Sequence, residues 1–185
     1  HMGHTGSILF NMVAPLEMGL NNGTHPLMNW DPGPKTGSIE NNDFQSFDDF
    51  FNAYAEQTKY LTCQAIEFNN MLAEAHVAYR PTPLLSSMMT GSIEKAADVT
   101  KGGARYNTSG TSNIGLADII DSMMSIKQLV FDEKAVTFTK LKSAIDTNFE
   151  NDSSLHAMIM NKVPKFGSGD PTVIDMANRI THMVH

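Results

Sequence analysis

The residues best suited to chemistry lie between Arg80 and Gly115, in the run RPTPLLSSMMTGSIEKAADVTKGGARYNTSGTSNIG. Arg105, Tyr106 and Asn107 stand there between a paired-glycine turn, Gly102-Gly103, and further glycines at 110 and 115. Glycine lets a backbone take positive φ or approach another chain closely. A polar aromatic and an amide between such glycines have the composition of a pocket wall, and equally that of a surface loop. Other constellations offer less. Cys63 is the chain's one cysteine, and its setting, Leu61-Thr62-Cys63-Gln64-Ala65, is mid-helical, so it reads as a buried small hydrophobe. Glu94 and Asp98 form an i, i+4 acidic pair, the pattern of a solvated face. Asp118 and Asp121 lie near a helix start, where the dipole suits carboxylates. His182 and His185 have i, i+3 spacing and with His1 and His4 could gather adventitious metal, but no carboxylate or cysteine completes a site. There is no Ser/His/Asp arrangement with an elbow motif, no phosphate loop and no GxGxxG. No catalytic, cofactor-binding or metal-ligating residue is assigned.

Composition narrows the field. The chain has 185 residues, enough for one domain with one core. Its 41% hydrophobic and 18% charged content suits a soluble globular protein. A net charge of −7 argues against nucleic acid as a partner, because phosphate binding needs a basic surface. No apolar run is long enough for a membrane span, and no secretory signal is visible. With a single cysteine no intramolecular disulfide can form and a four-cysteine metal site is excluded, which fits a cytoplasmic protein. The 13 methionines read as adaptable core filling. His1-Met2 reads as a cloning scar, leaving 3–185 as a single helical domain.

The framework around the candidate residues reads as mostly helical. Ile8 to Asn22 has helical apolar spacing, with Pro15 either starting the helix or kinking it. Gly23 stops it, and residues 24–45, with Pro26, Pro32, Gly33, Pro34 and Gly37, form a long loop. Ser46 with Asp49 is a capping signal. The helix that follows runs without Gly or Pro to Pro81, carrying Phe47, Phe50, Phe51, Tyr54, Ile66, Phe68 and Leu72 on several faces, so it wants neighbours on several sides. Leu84–Met89 and Ser92–Asp98 are short helical pieces separated by Gly91. Residues 104–114 favour extended chain with one β-strand at most. Leu116–Asp132 is a clear helix with Ile119, Met123, Ile126, Leu129 and Val130 on one face. Thr137 or Thr139 caps a helix to about Asn148, Ser153 or Ser154 opens another, and Asp170-Pro171 starts the last. The expected fold class is mainly α with at most one or two short strands.

Several motifs occur together in a fixed order: Leu16-Glu17-Met18-Gly19-Leu20-Asn21-Asn22-Gly23, Arg80-Pro-Thr-Pro-Leu-Leu-Ser, Gly102-Gly103-Ala104-Arg105-Tyr106-Asn107, Gly115-Leu116-Ala117-Asp118, Leu129-Val130-Phe131-Asp132-Glu133-Lys134 and Asn161-Lys162-Val163-Pro164-Lys165-Phe166-Gly167. Over nearly all of residues 7–180 the chain resembles the glycyl radical enzymes of the pyruvate formate-lyase and glycerol dehydratase type. The resemblance implies a helix-rich segment of their α/β barrel, lying between the catalytic cysteine loop and the glycyl radical loop. The parent enzyme would be a radical lyase, dehydratase, decarboxylase or formate acetyltransferase acting on a small organic substrate.

It implies, too, that the parent carries a protein glycyl radical installed by an S-adenosylmethionine iron–sulfur activase, which passes to a thiyl within a "GCxE"-like loop. Neither that loop nor the "RVxGY"-like glycyl motif stands in this sequence, and Cys63 has no glutamate two residues on. The segment is therefore expected to be inert alone and to hold no cofactor itself. By resemblance, Tyr106, Arg105 and Asn107 lie at the substrate cavity, where a tyrosine hydroxyl or an arginine fork orients polar groups. The alternative is that Tyr106 and Asn107 satisfy barrel-rim backbone. Thr108 and Ser109 depart from the bulkier or Gly/Pro residues of other members, which leaves the substrate class open. Asp118 and Asp121 take a structural role by the same match. Expected partners are the rest of the parent enzyme, its activase and, through exposed faces of the long helix (Phe47, Phe51, Tyr54, Phe68), a second copy. The competing possibility is a free-standing, non-catalytic helical interaction module derived from that family.

Overall fold

The computed structural model describes residues 2–28 and 30–185, with side chains from residue 8 onward. His1 and the side chain of His4, named above in the histidine set, lie outside the described residues. The elements run β1 (Met2–Asn11), α1 (Ala14–Leu20), α2 (Phe47–Tyr79), α3 (Pro83–Met88), α4 (Ser92–Lys95), a 3-10 turn (Val99–Lys101), β2 (Tyr106–Ile114), α5 (Leu116–Ile126) continued by a π-helical turn (Lys127–Asp132), α6 (Phe138–Asp146), α7 (Ser153–Lys162) and α8 (Pro171–Val184). The chain divides into two compact units, one of Asn11–Leu61 with Gly115–His185, the other of Thr62–Ile114 with the chain up to Phe10.

The first, helical unit has a closed core. Met12, Met18, Phe50, Tyr54, Ile119, Ile120, Met123, Leu129, Leu141 and Ile180 are all sealed from solvent. Phe50 meets Phe138 edge to face at 4.9 Å and Phe44 at 5.3 Å, while Phe131 joins Phe138 at 5.8 Å and Phe47 at 6.1 Å. The α5 helix packs along α8. The Arg179 guanidinium of α8 lies 3.8 Å over the Phe51 ring and pairs with Asp48 at 2.7 Å. Tyr54 donates its hydroxyl to the Met12 carbonyl at 3.2 Å, and burial pushes its pKa up to about 12. The 24–45 loop is held down by buried Gln57, whose Nε2 donates to the Pro34 carbonyl at 2.7 Å and the Thr36 hydroxyl at 3.0 Å.

Caps follow the sequence signals. Ser46 N–H donates to Asp49 at 2.8 Å and Asp49 N–H donates back to the Ser46 hydroxyl at 3.2 Å, a reciprocal box at the start of α2. Thr137 caps α6 and Asp170 caps α8, with Pro171 in its first turn. Ser153 opens α7 as its sequence suggested, and Asp152 before it is the cap, accepting from the Leu155 N–H at 3.1 Å and from the Ser154 hydroxyl at 2.9 Å.

The second unit is built on a two-stranded sheet, β1 beside β2. The strands are ten and nine residues long, so "short" was an underestimate, and β1 covers residues whose apolar spacing suggested a helix. Of the two readings of Pro15, the helix starting there holds. The α2 helix contributes buried residues only as far as Thr58, and Ile66, Phe68, Met71 and Leu72 on its later turns are exposed. The expected open face is therefore corrected. Phe47, Phe51 and Tyr54 are buried within the helical unit and Phe68 alone of the four is exposed. Cys63, expected to be buried, is exposed as well, because it lies on the turns past Thr58.

Candidate functional site

The Arg80–Gly115 segment folds as a series of short turns, each fixed by its own chemistry. Pro83 opens α3 and Gly91, at φ 100°, opens α4. A side chain at Gly91 would bring its Cβ to 2.7 Å from the Arg105 nitrogen. Arg105 N–H donates to the Thr90 carbonyl at 2.7 Å, so the approach to β2 runs directly against this turn. Gly102 ends the 3-10 turn at φ 78°, and a Cβ on Gly103 would collide with the Ala97 carbonyl. The glycine pair thus serves a turn and a close approach, as its composition suggested.

At the centre of the segment is Asp98. Its Oδ2 accepts from the Thr82 N–H at 2.9 Å and the Ser86 hydroxyl at 2.8 Å. Its Oδ1 accepts from the Thr100 N–H at 2.9 Å, the Thr100 hydroxyl at 2.7 Å and the Thr82 hydroxyl at 3.3 Å. The Ser86 hydroxyl in turn accepts from the Val99 N–H at 2.9 Å. The Thr100 hydroxyl above all, opposed by partial desolvation and helped by the Thr100 N–H, Ser86 and Thr82, holds the Asp98 carboxyl well below the usual carboxylate range. The Asp98 carbonyl takes the N–H groups of Lys101 and Gly103, both at 2.9 Å. One residue therefore ties the Pro-Thr-Pro turn to the paired-glycine turn.

Glu94 and Asp98, read from sequence as one solvated face, do separate jobs. Glu94 accepts from the Gly91 N–H at 2.9 Å, and Ala96 at φ 50° ends α4 between the two acids. No common helix face exists for them to share.

Beyond the turn, Arg105, Tyr106 and Asn107 are brought together at the start of β2. The Arg105 guanidinium lies 5.7 Å from the Tyr106 ring centroid, and Tyr106 is 55% exposed. Asn107 turns its amide inward, donating to the carbonyls of Ala104 at 2.7 Å and Gly102 at 3.1 Å. Lys95 donates to the same two carbonyls at 2.8 and 3.2 Å. The arrangement offers a phenol hydroxyl and a guanidinium as orienting groups.

Elsewhere, Asp121 accepts the Phe166 N–H at 2.7 Å and so tethers α5 to the Lys165–Gly167 turn. Among the described residues no group of three histidine, cysteine or acidic side chains is placed to hold a metal. Among them, too, no helix is long and apolar enough to cross a membrane. Sequence reasoning passed over Thr82, Ser86, Lys95, Asp98 and Thr100 as site-forming residues. The Asp98-x-Thr100 spacing is a local capping signal that could have drawn attention to Asp98, whereas the contacts from Thr82 and Ser86 are visible only in the fold.

Comparison with known proteins agrees with the motif order. The family model described as Pyruvate formate lyase-like matches residues 1–185. The trans-4-hydroxy-L-proline dehydratase of Clostridioides difficile is 37% identical over 160 residues, covering 86% of this chain and 20% of that protein. The (2S)-3-sulfopropanediol dehydratase of Klebsiella oxytoca is 32% identical over 167 residues, covering 90% of this chain and 20% of the other. Among solved structures, the C. difficile hydroxyproline dehydratase with trans-4-hydroxy-L-proline bound superposes with a TM-score of 0.90 at 34% identity, over 95% of this chain and 22% of that one. The glycerol-bound B12-independent glycerol dehydratase of Clostridium butyricum superposes at 0.87, also at 34% identity and over the same shares. The chain spans about a fifth of the length of the curated relatives it matches. On its motifs, its fold and these matches, the chain belongs to the pyruvate formate lyase-like family of glycyl radical enzymes.

Proposed function

We infer that this chain serves as one part of the barrel body of a glycyl radical dehydratase or related lyase, where it supplies a wall of the substrate cavity. In this reading Tyr106 and Arg105 orient polar groups of a small organic substrate, and Asn107 braces the wall from behind. The observation that carries it is the division of labour at the start of β2. The Asn107 amide is consumed by the Gly102 and Ala104 carbonyls, while the Tyr106 ring stands exposed with a guanidinium beside it. A buried core tyrosine would have its hydroxyl satisfied and its ring covered, as Tyr54 does.

The same reading makes the 185 residues catalytically silent as they stand. Cys63 is exposed on a regular helix between Thr62 and Gln64, with no glycine loop around it. The parent enzyme's glycyl radical, the cysteine that receives its spin and the site of its activase all belong to residues other than these. Partners are then the remainder of that enzyme, its activase and a second copy, in a cytoplasmic setting.

The test is a chimera. The corresponding fifth of the C. difficile hydroxyproline dehydratase is replaced by this segment, with and without Tyr106→Phe, and hydroxyproline turnover is followed anaerobically. Loss of an orienting hydrogen bond lowers kcat/KM by about tenfold. A chimera that turns over at the same rate with phenylalanine at 106 removes Tyr106 from the wall.

A further inference from the structure

We propose that Asp98 is a positioning residue for this wall, setting where Arg105, Tyr106 and Asn107 stand by holding the Pro-Thr-Pro turn and the paired-glycine turn in one fixed geometry. The proposal rests on the wall reading for its functional meaning, although the placement it describes can be measured without it.

The Asp98 carboxylate must accept two backbone N–H groups at once. Each of its oxygens receives one backbone N–H, Oδ1 from Thr100 and Oδ2 from Thr82. Backbone N–H groups cannot reverse their role, whereas hydroxyls can. Asparagine would therefore meet one of these N–H groups with its own NH2 in either orientation of the amide. Only a short, symmetric double acceptor fits, and glutamate is one methylene too long for a turn this tight. Ser86 extends the arrangement, accepting from Val99 N–H while donating to Asp98, so the first residue of the 3-10 turn is fixed from α3.

What Asp98 fixes is transmitted over few bonds. Its carbonyl holds the N–H groups of Lys101 and Gly103. Gly102 and Ala104 then present the carbonyls that Asn107 and Lys95 share. Release of the carboxylate loosens the 3-10 turn from α3, leaving the Val99 N–H on the Ser86 hydroxyl, and the two carbonyls lose the fixed spacing that receives the Asn107 amide. Tyr106, lying between Arg105 and Asn107, moves with them.

The experiment is heteronuclear NMR on the 185-residue chain, comparing Asp98→Asn, Asp98→Glu and Ser86→Ala well below their melting temperatures. The Asn107 side-chain amide and the Arg105 backbone amide are the reporters. Loss of one hydrogen bond from the turn raises their exchange by about tenfold. The expected result is that Asp98→Asn and Asp98→Glu each shift both reporters and speed their exchange, with Ser86→Ala acting in the same direction but less. Ile119 and Ile180 in the helical unit stay unmoved. If Asp98→Asn fails to fold, Ser86→Ala and Thr100→Val carry the same comparison.

Reporters that superpose on wild type in a folded variant overturn the proposal, as does a shift spread equally over Ile119 and Ile180, which would mark a merely stabilising role. The chimera separates the two claims. Reporter shifts together with an inert Tyr106→Phe change leave Asp98 as the positioning residue of a strand that does not contact substrate. A Tyr106→Phe effect with unmoved reporters leaves the wall and removes Asp98.

Discussion

In the helical unit, Phe50, Tyr54, Ile119, Met123, Leu129 and Ile180 are closed off from solvent, whereas in the sheet unit eight of the nine residues of β2 are exposed. The same helix shows both regimes, since α2 buries Phe47, Phe50, Phe51 and Tyr54 and then exposes Ile66, Phe68, Met71 and Leu72. A two-stranded sheet is marginal in water without further strands or a covering helix. The helical unit is thus held by apolar burial, and the turns between Thr82 and Gly103 in the sheet unit by local hydrogen bonds around Asp98. The candidate wall sits in the second kind of structure. Its shape is fixed by short-range polar chemistry, while its exposed faces match a chain that spans a fifth of its relatives' length.

The largest test of this contrast is truncation. Phe50→Ala or Leu129→Ala removes a side chain with no solvent exposure and costs about 3–5 kcal/mol. Phe68→Ala, at 58% exposure, changes stability by less than about 0.5 kcal/mol. Urea denaturation of the three variants reads the difference directly, and equal losses would erase the distinction between the units.

A smaller effect is expected at Gly91. Alanine there must adopt φ near 100° with its Cβ close to the Arg105 nitrogen, a strain of about 1–3 kcal/mol. Hydrogen exchange should show that penalty in residues 91–107 and not in α5 or α8.

Acid should separate the units by degree. Hydrogen bonds hold Asp49 (from Ser46), Asp152 (from Lys140) and Asp170 (from Thr172) below the usual carboxylate range, and Asp98 further still. A depressed folded pKa gives stability that is complete above the unfolded value of about 3.9 and is lost as pH falls through the folded value. Protection at the starts of α2, α7 and α8 should therefore fade first below about pH 4, with the Asp98 turn fading last. Amide exchange from pH 5 downward checks the order. The smallest effect concerns Phe68→Glu, which should weaken self-association in sedimentation without moving the melting temperature, because only an exposed apolar face is altered.

Much of the helical unit was legible in the sequence because its signals are local. Capping pairs such as Ser46/Asp49 and Asp170-Pro171, and the apolar spacing of Leu116–Asp132, act within a few residues. The burial of Phe47 and Phe51 was misjudged because it depends on Phe131 and Arg179, which lie 80 residues or more along the chain, and Tyr54 reaches back 42 residues to the Met12 carbonyl. Strand β1 escaped notice because Ile8, Leu9, Met12 and Val13 fall at helical intervals across a strand and a turn. At the site, the motif order identified the family and the glycine pair identified the turn. The role of Asp98 was hidden because its partners Thr82 and Ser86 are 16 and 12 residues away. Helical spacing suggested a pairing with Glu94 that the left-handed Ala96 breaks.

The proposed function has this chain supply substrate-orienting residues to a glycyl radical enzyme and carry no radical residue itself. Its most direct test is electron paramagnetic resonance of the purified 185-residue chain after anaerobic incubation with the hydroxyproline dehydratase activase, a reductant and S-adenosylmethionine. No glycyl radical signal is expected, with the full-length dehydratase giving one under the same conditions. A glycyl doublet on the 185-residue chain would contradict it.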